Sequence, residues 1–222
     1  MRTKLMDRVM PDYTRGEELF NMISHIVGGV VGIAALVLCV IRSALHHNGY
    51  GLAGSIVFGL SMILLYTMSS IYHGLNDGMG KRVLQVLDHC TIYVLIAGTY
   101  TPLLLSAMRP IDPATSWALL AIVWGLAAIA ITLTAIDLHH FRVISMVLYI
   151  GMGWTIVFRL PLLMQAVGPA GFGLILAGGL CYTVGAILYG LGKKMRYMHS
   201  IFHLFVLAGS VCHALAVLLF GL

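Results

Sequence analysis

Near the C-terminal end of the chain, His199 and His203 stand four residues apart in the stretch HSIFH, directly before the apolar run LFVLAGSVCHALAVLLFGL. Four residues advance an α-helix by about 400°, so both imidazoles share one helix face. If the apolar run crosses a bilayer, ionisable side chains at its mouth are costly to bury and indicate a functional site. The function of this pair therefore depends on which side chains lie next to the two histidines.

Two other apolar runs carry candidate partners at one end. SSIYHGL closes one run and places Ser69 and His73 on one helix face, and KRVLQVLDHC opens the next run with Asp88. Catalytic zinc sites commonly use three protein ligands and leave the fourth position to water. Three imidazoles fit that pattern, and Asp88 is either a fourth ligand or the acceptor of a hydrogen bond from the water. Such a set suits zinc better than magnesium or calcium, which prefer oxygen ligands.

A third group of polar residues opens the first apolar run, in EELFNMISH. Glu18, Asn21 and His25 are spaced by three and four residues, which puts them on one helix face. One interpretation is a helix start in which an acidic side chain interacts favourably with the helix dipole. The other is a supporting role, in which the carboxylate or the amide orients a metal ligand or His25 closes the cavity. The spacing alone leaves both interpretations open.

The composition indicates that these groups lie in a polytopic membrane protein. Of the 222 residues, 60% are hydrophobic and 9% are charged, and the mean hydropathy is +0.97. Soluble domains carry roughly 25% charged residues. Residues 1–18 lack the apolar core and cleavage site of a secretory signal, so we expect the first span to act as both signal and anchor.

Cysteines and basic residues exclude two other classes. The four cysteines lie in or beside apolar runs without CxxC spacing, so we expect free thiols: Cys39, Cys90, Cys181 and Cys212. The net charge is +5, but no basic patch with interleaved aromatic residues is present. Nucleic acid is therefore not an expected partner. No sequence feature indicates an oligomeric state.

Apolar runs of about 20 residues predict an all-α bundle of seven transmembrane helices. The predicted spans are 19–41, 51–73, 84–107, 115–136, 143–164, 170–191 and 199–221. The predicted organisation is therefore a cytoplasmic N-terminal segment, residues 1–18, and a seven-helix transmembrane domain, residues 19–222.

The loop charges predict the orientation of this bundle. With the N-terminus in the cytoplasm, the inner side receives Arg2, Lys4, Arg8, Arg15, Lys81, Arg82, Arg142, Lys193, Lys194 and Arg196. The outer side receives Arg42, Arg109 and Arg159. Ten cations against three is a strong positive-inside bias, so the N-terminus is predicted cytoplasmic and the C-terminus external.

This topology brings the candidate ligands to one depth near the cytoplasmic face, namely His73, Asp88, His199 and His203. A histidine pair four residues apart is more often a surface or interface feature than a metal site. Inside a membrane each buried polar group must find a partner, and the matched depth therefore favours the metal. We expect His46, His47, His139 and His140 to be solvated at span edges, whereas the roles of His89 and His213 stay open.

Taken together, the motifs around Glu18, Asn21, His25, Ser69, His73, Asp88, His199 and His203 resemble those of the progestin and adipoQ receptor superfamily. LDHCTIYVLIAGTYTP, GMGW and HSIFHLFVLAGSVCH resemble the bacterial hemolysin III family more closely, and the resemblance covers essentially the whole chain. It implies a seven-helix bundle of inverted topology relative to the G-protein-coupled receptors, with zinc in the cytoplasmic leaflet.

The resemblance also implies roles for single residues. His73, His199 and His203 would be the zinc ligands, Asp88 would contact the water on the metal, and Ser69 would lie beside that site. The bundle is similar to that of the alkaline ceramidases, which implies hydrolysis of a lipid amide or ester.

Three functions are consistent with these observations. The first is a zinc-dependent hydrolase of a membrane lipid, located in the bacterial inner membrane and acting in lipid or energetic homeostasis. The second is a non-enzymatic sensor or receptor-like protein in which zinc holds helices together. The third is a pore-forming, cytolytic or transport protein, although no predicted span has the continuous polar stripe of a wide pore.

Overall fold

The computed structural model describes residues 5–191 and 195–222, and in these ranges every regular element is helical. Seven α-helices follow one another: α1 Arg15–Leu45, α2 Gly49–Gly74, α3 Met79–Pro102, α4 Pro113–Asp137, α5 Arg142–Gly153, α6 Leu160–Leu191 and α7 Met198–Ala216. Short π-helical segments continue α3 and α7, and a 3-10 helix, Thr155–Arg159, joins α5 to α6. The predicted inner cations Arg2, Lys4, Lys193 and Lys194 lie outside the described residues.

Six helical segments of the described chain are long and apolar enough to cross a membrane. The fifth, Arg142–Gly190, has 49 residues and contains the fifth predicted span and all but the last residue of the sixth. A straight helix of that length would measure about 74 Å, more than twice the roughly 30 Å of a hydrocarbon core. Gly168, with φ 66°, breaks this segment directly before Pro169. The count of seven spans and the sides of the two termini stay predictions.

Helix α1 buries polar side chains inside the bundle and exposes large apolar side chains on the outside. On α1 the buried residues include Asn21, Ser24 and His25, while Val30 is 63% exposed and Ile33 is 53% exposed. A helix in water would bury the opposite face. The arrangement suits a hydrocarbon solvent, in which buried polar groups must be satisfied within the protein.

Local sequence fixes where two of these helices begin. Thr14 caps α1 through a capping box, in which Thr14 Oγ1 accepts from Glu17 N and Glu17 Oε2 accepts from Thr14 N at 2.8 Å. Asp112 caps α4 and accepts a hydrogen bond from Thr115 N at 3.0 Å. Hydrogen bonds from Thr115 lower the pKa of the Asp112 carboxyl, so the cap is ionised at neutral pH.

Glycines on α1 allow α1 and α2 to pack closely. A Cβ atom at Gly28 would lie 2.3 Å from Cδ1 of Tyr66, and one at Gly32 would lie 3.1 Å from Cβ of Met62. The Tyr66 side chain is fully buried, and its hydroxyl donates a hydrogen bond to Ser210 Oγ at 2.7 Å, which connects α2 to α7. Small residues at such crossings let membrane helices approach closely.

We expect Gly28→Ala to destabilise the protein by about 1–3 kcal/mol, because the new methyl group must displace a fully buried ring. Thermal unfolding in detergent measures the change. Gly29→Ala is the matched control, since its Cβ would lie 3.9 Å from Tyr66 Cβ, an ordinary contact. Equal unfolding temperatures for the two variants would contradict this account of the α1–α2 contact.

Candidate metal centre

Three histidines from two helices form one buried group. His73 lies near the end of α2, and His199 and His203 lie in the first two turns of α7. One ring nitrogen from each lies within 4.8 Å of the others, and Nε2 of His199 is 3.0 Å from Nε2 of His203. Two nitrogens bound tetrahedrally to one zinc ion would lie roughly 3.3 Å apart. The spacing of the group therefore fits a single metal ion.

A carboxylate fixes the orientation of His73. Nδ1 of His73 lies 2.5 Å from Oε2 of Glu18, which accepts the ring N–H. His73 Nε2 is buried and has no hydrogen-bond partner among the described residues. An imidazole that donates one nitrogen to a carboxylate presents the other as a ligand. This unpaired nitrogen supports the fit of the group to a metal.

The other predicted residues of α1, Asn21 and His25, lie near the histidine group. The His25 ring stacks on the His203 ring with centroids 3.7 Å apart. It lies nearly perpendicular to the Tyr66 ring, with centroids 5.0 Å apart. Asn21 is fully buried, and neither atom of its amide has a hydrogen-bond partner within the described part of the chain. The structure thus brings Glu18 and His25 into contact with the histidine group.

Two neighbours of the group were missed from the sequence. The ring of Tyr13 stacks on His199 at a centroid distance of 5.0 Å, and burial raises the pKa of this phenol, which therefore stays neutral. Lys81, counted only as a topological charge, places Nζ 2.5 Å from Oε1 of Glu18. Tyr13 precedes α1 and Lys81 opens α3, so no helical spacing links either residue to the histidines. The one sequence signal for Lys81 is that it is a charged residue between two apolar runs.

Asp88 and Ser69 lie beside the histidine group and outside it. Asp88 is not one of the three residues whose ligand atoms converge, and its Oδ2 is 4.0 Å from Nδ1 of His89. Ser69 Oγ is buried and lies close enough to the Asp88 carboxyl for the two side chains to interact. Both side chains line a cavity of about 340 Å³ that also reaches His199 and His203. This position suits groups that act on a molecule in the cavity.

The cavity is apolar along most of its length. It follows α3 from Asp88 to Leu103, a rise of about 22 Å, between α3, α5, α6 and α7. Three large apolar side chains that line the cavity are also exposed, namely Ile150 at 38%, Val157 at 46% and Leu176 at 37%. The cavity therefore extends from the histidine group to the surface that α5 and α6 share.

The other histidines occupy different settings. His46, His47 and His140 are exposed as expected, whereas His139 is half-buried. His89 is held by its own helix, with Nδ1 2.8 Å from the Gln85 carbonyl oxygen, and His213 stacks on Tyr182 at 5.3 Å. His89 and His213 both line the cavity but do not belong to the converging group.

Comparison with known proteins assigns the chain to a family. The model of the family described as Haemolysin-III related matches residues 13–214. The chain belongs to the hemolysin III family. The hemolysin-3 of Bacillus cereus is 39% identical over 191 residues, which cover 86% of this chain and 85% of that protein. The hemolysin-3 homolog of Bacillus subtilis strain 168 is 38% identical over 194 residues, with coverages of 87% and 89%.

Membership confirms the resemblance to the hemolysin III family and the membrane location drawn from the sequence. The matched residues 13–214 include the whole histidine group and its neighbours. Together with the six apolar helices, they make this hemolysin III family protein a multi-pass membrane protein, consistent with a bacterial inner membrane. The family name itself assigns no ligand to the histidines.

We expect wild-type protein, purified in detergent without chelator, to carry one transition-metal ion per molecule, and His203→Ala to lose it. Elemental analysis measures the stoichiometry. His213→Ala is the matched control, because it removes a buried histidine of the same helix that lies outside the converging group. Equal metal content in the two variants would show that the group is not the binding site.

Proposed function

We propose that this hemolysin III family protein binds a zinc ion through His73, His199 and His203 and hydrolyses an amide or ester bond of a membrane lipid. The observation that carries the proposal is the convergence of three imidazoles beside an apolar cavity that contains a carboxylate. Structural zinc sites have four protein ligands, whereas catalytic sites leave a position open. Three protein ligands beside a cavity support the catalytic arrangement.

The donor set favours zinc among the metals that proteins bind. Three imidazole nitrogens suit zinc, copper, iron and nickel, whereas magnesium and calcium take oxygen ligands. Zinc is redox-inactive and favours tetrahedral coordination, in which three histidines leave the fourth position open. When bound, it supplies Lewis acidity that polarises a carbonyl group and activates water.

Asp88 and Ser69 supply the acid–base chemistry in this proposal. HSIFH lacks the glutamate of the HExxH motif, so the base must come from another helix. The Asp88 carboxylate takes a proton from the attacking water and returns it to the leaving amine or alkoxide. Ser69 Oγ, buried beside Asp88, donates a hydrogen bond to the oxygen that becomes negatively charged.

The cavity accounts for the choice of a lipid as substrate. Its length of about 22 Å along α3 exceeds half of a 30 Å hydrocarbon core, so it suits an acyl chain. The exposed lining residues Ile150, Val157 and Leu176 give an acyl chain a route from the bilayer between α5 and α6. An apolar chain in the cavity also excludes water from all but the reacting end.

The orientation places this chemistry in the cytoplasmic leaflet. The proposal is a bundle of seven spans with the N-terminus in the cytoplasm and the C-terminus outside. The distribution of ten cations against three supports the orientation. The break at Gly168 supports the count, because it divides Arg142–Gly190 into two parts that are each long enough to cross a bilayer.

A zinc-stabilised sensor is the second candidate. It is favoured by the enclosure of the histidine group, since Tyr13 stacks on His199 and His25 stacks on His203. A metal in that enclosure would hold the N-terminal segment, α1, α2 and α7 together without any turnover. The two candidates differ in whether Asp88 is needed for an activity.

We expect Asp88→Asn to lower hydrolysis of a lipid amide or ester by about 100-fold or more, because the amide cannot accept the proton. Zinc content and unfolding temperature should stay near the wild-type values. Turnover is measured in mixed micelles with a panel of ceramide and phospholipid substrates. Asp112→Asn is the control, since asparagine also caps a helix and Asp112 lies outside the cavity.

Stoichiometric zinc with no hydrolysis of any substrate in the panel would exclude the hydrolase and favour the sensor. Loss of zinc in Asp88→Asn would instead make Asp88 a metal-binding residue.

We expect a membrane-impermeant thiol reagent to label Ile111→Cys and Gln165→Cys in intact spheroplasts, and to label Asp77→Cys only after lysis. All three positions are exposed: Asp77 lies between α2 and α3, Ile111 lies between α3 and α4, and Gln165 lies in α6 three residues before Gly168. Protein with only the four native cysteines gives the background. If Arg142–Gly190 crossed the membrane once, Gln165 would lie within the bilayer and stay unlabelled.

A further inference from the structure

Lys81 at the start of α3 is buried although it carries a positive charge. The residue is 6% exposed, and an isolated buried ammonium group is costly. The ammonium group has two hydrogen-bond acceptors and lies near one aromatic ring. Nζ donates to Glu18 Oε1 at 2.5 Å and to the Leu75 carbonyl oxygen at 2.9 Å, and it lies 5.6 Å from the centroid of the Tyr72 ring.

Two of these partners lie near His73 in the chain, and the third contacts it. Leu75 is the C-cap of α2, two residues after His73, and Tyr72 is the residue before it. Glu18 belongs to α1. Lys81 therefore joins the end of α2 to α1 from the first turn of α3.

Glu18 divides its two oxygens between Lys81 and His73. Oε1 lies 2.5 Å from Lys81 Nζ, and Oε2 lies 2.5 Å from His73 Nδ1. A carboxylate held at both oxygens has one available orientation, so the ring of His73 is held with it. The contact between Glu18 and His73 uses Nδ1, and it leaves Nε2 as the nitrogen that reaches the histidine group.

We propose that Lys81 is a positioning residue for His73 and acts through Glu18. Lys81 holds the Glu18 carboxylate in one orientation, Glu18 accepts the Nδ1 proton of His73, and Nε2 then points at the metal position. This inference rests on the proposed metal binding at His73, His199 and His203. Without Lys81, the carboxylate loses a partner for Oε1 and can turn toward solvent, since its side chain is 18% exposed. His73 then loses the acceptor that fixes its tautomer.

The neighbouring cation Arg82 provides a matched comparison. Its guanidinium donates to the backbone oxygen of Arg8, in the N-terminal segment, and does not contact the histidine group. Loss of either side chain removes one positive charge from the first turns of α3. Only loss of Lys81 removes a contact to Glu18.

The test is zinc affinity, measured by competition with a chromophoric chelator, for wild type, Lys81→Met, Glu18→Gln, the double variant and Arg82→Met. We expect Lys81→Met and Glu18→Gln each to weaken zinc binding by about 10–100-fold. Because Lys81 acts through Glu18, the double variant should bind no more weakly than Glu18→Gln alone. Arg82→Met should keep the wild-type affinity. Cobalt substituted for zinc should show a changed absorption spectrum in Lys81→Met, as a reoriented ligand requires.

Several outcomes would overturn the inference. If Lys81→Met lowers the unfolding temperature of the metal-free protein but keeps the wild-type affinity and cobalt spectrum, Lys81 has only a structural role. Additive losses of affinity in the double variant would show that Lys81 does not act through Glu18. Absence of metal from wild type would overturn both this inference and the proposed function, whereas normal affinity in Lys81→Met would overturn this inference alone. If Lys81→Met does not fold, Lys81→Gln is measured with the same expectations, since it removes the charge and keeps a donor for Leu75.

Discussion

The contact between the Glu18 carboxylate and Nδ1 of His73 is the interaction on which the geometry of the histidine group depends. In a low-dielectric interior each unpaired polar group costs free energy, so a carboxylate and an imidazole at 2.5 Å hold each other in one arrangement. This arrangement decides which nitrogen of His73 faces His199 and His203. It also requires α1 and α2 to stay in register, because the two residues belong to different helices.

The rest of the bundle maintains that register. Gly28 lets α1 approach the ring of Tyr66 on α2, and Tyr66 in turn bonds Ser210 on α7. The same serine oxygen lies 2.8 Å from the hydroxyl of Tyr182, which brings α6 into the network. A small residue in one helix and a hydroxyl in another thus connect the α1–α2 pair to the helix that carries HSIFH. Such packing and hydrogen bonds replace the hydrophobic effect, which does not drive helices together in lipid.

The covered side of the histidine group and an open cavity meet at His199 and His203. On one side the histidines are covered by Tyr13 and His25, as in a site built for stability. On the other side they line an apolar cavity with Ser69 and Asp88, as in a site built for chemistry. The hydrolase proposal depends on the second side and the sensor proposal on the first. Because both sides share the same ligands, metal content alone does not distinguish them, and turnover does.

The sequence by itself determined the helical membrane class and the family, and it placed His199 and His203 on one helix face, because hydropathy, motifs and helical spacing are local properties. Spacing and depth did not separate His73 from Asp88 as a neighbour of that pair, since matched depth on different helices says nothing about lateral distance; only the family resemblance named His73 with the pair. The sequence also missed Lys81 and Tyr13, whose contacts with Glu18 and His199 join residues far apart in the chain. Only the tertiary structure decided these contacts, because they depend on how α1, α2, α3 and α7 pack. Gly168, where the backbone leaves the helical conformation, lies in the gap 165–169 that the sequence predicts between the fifth and sixth spans.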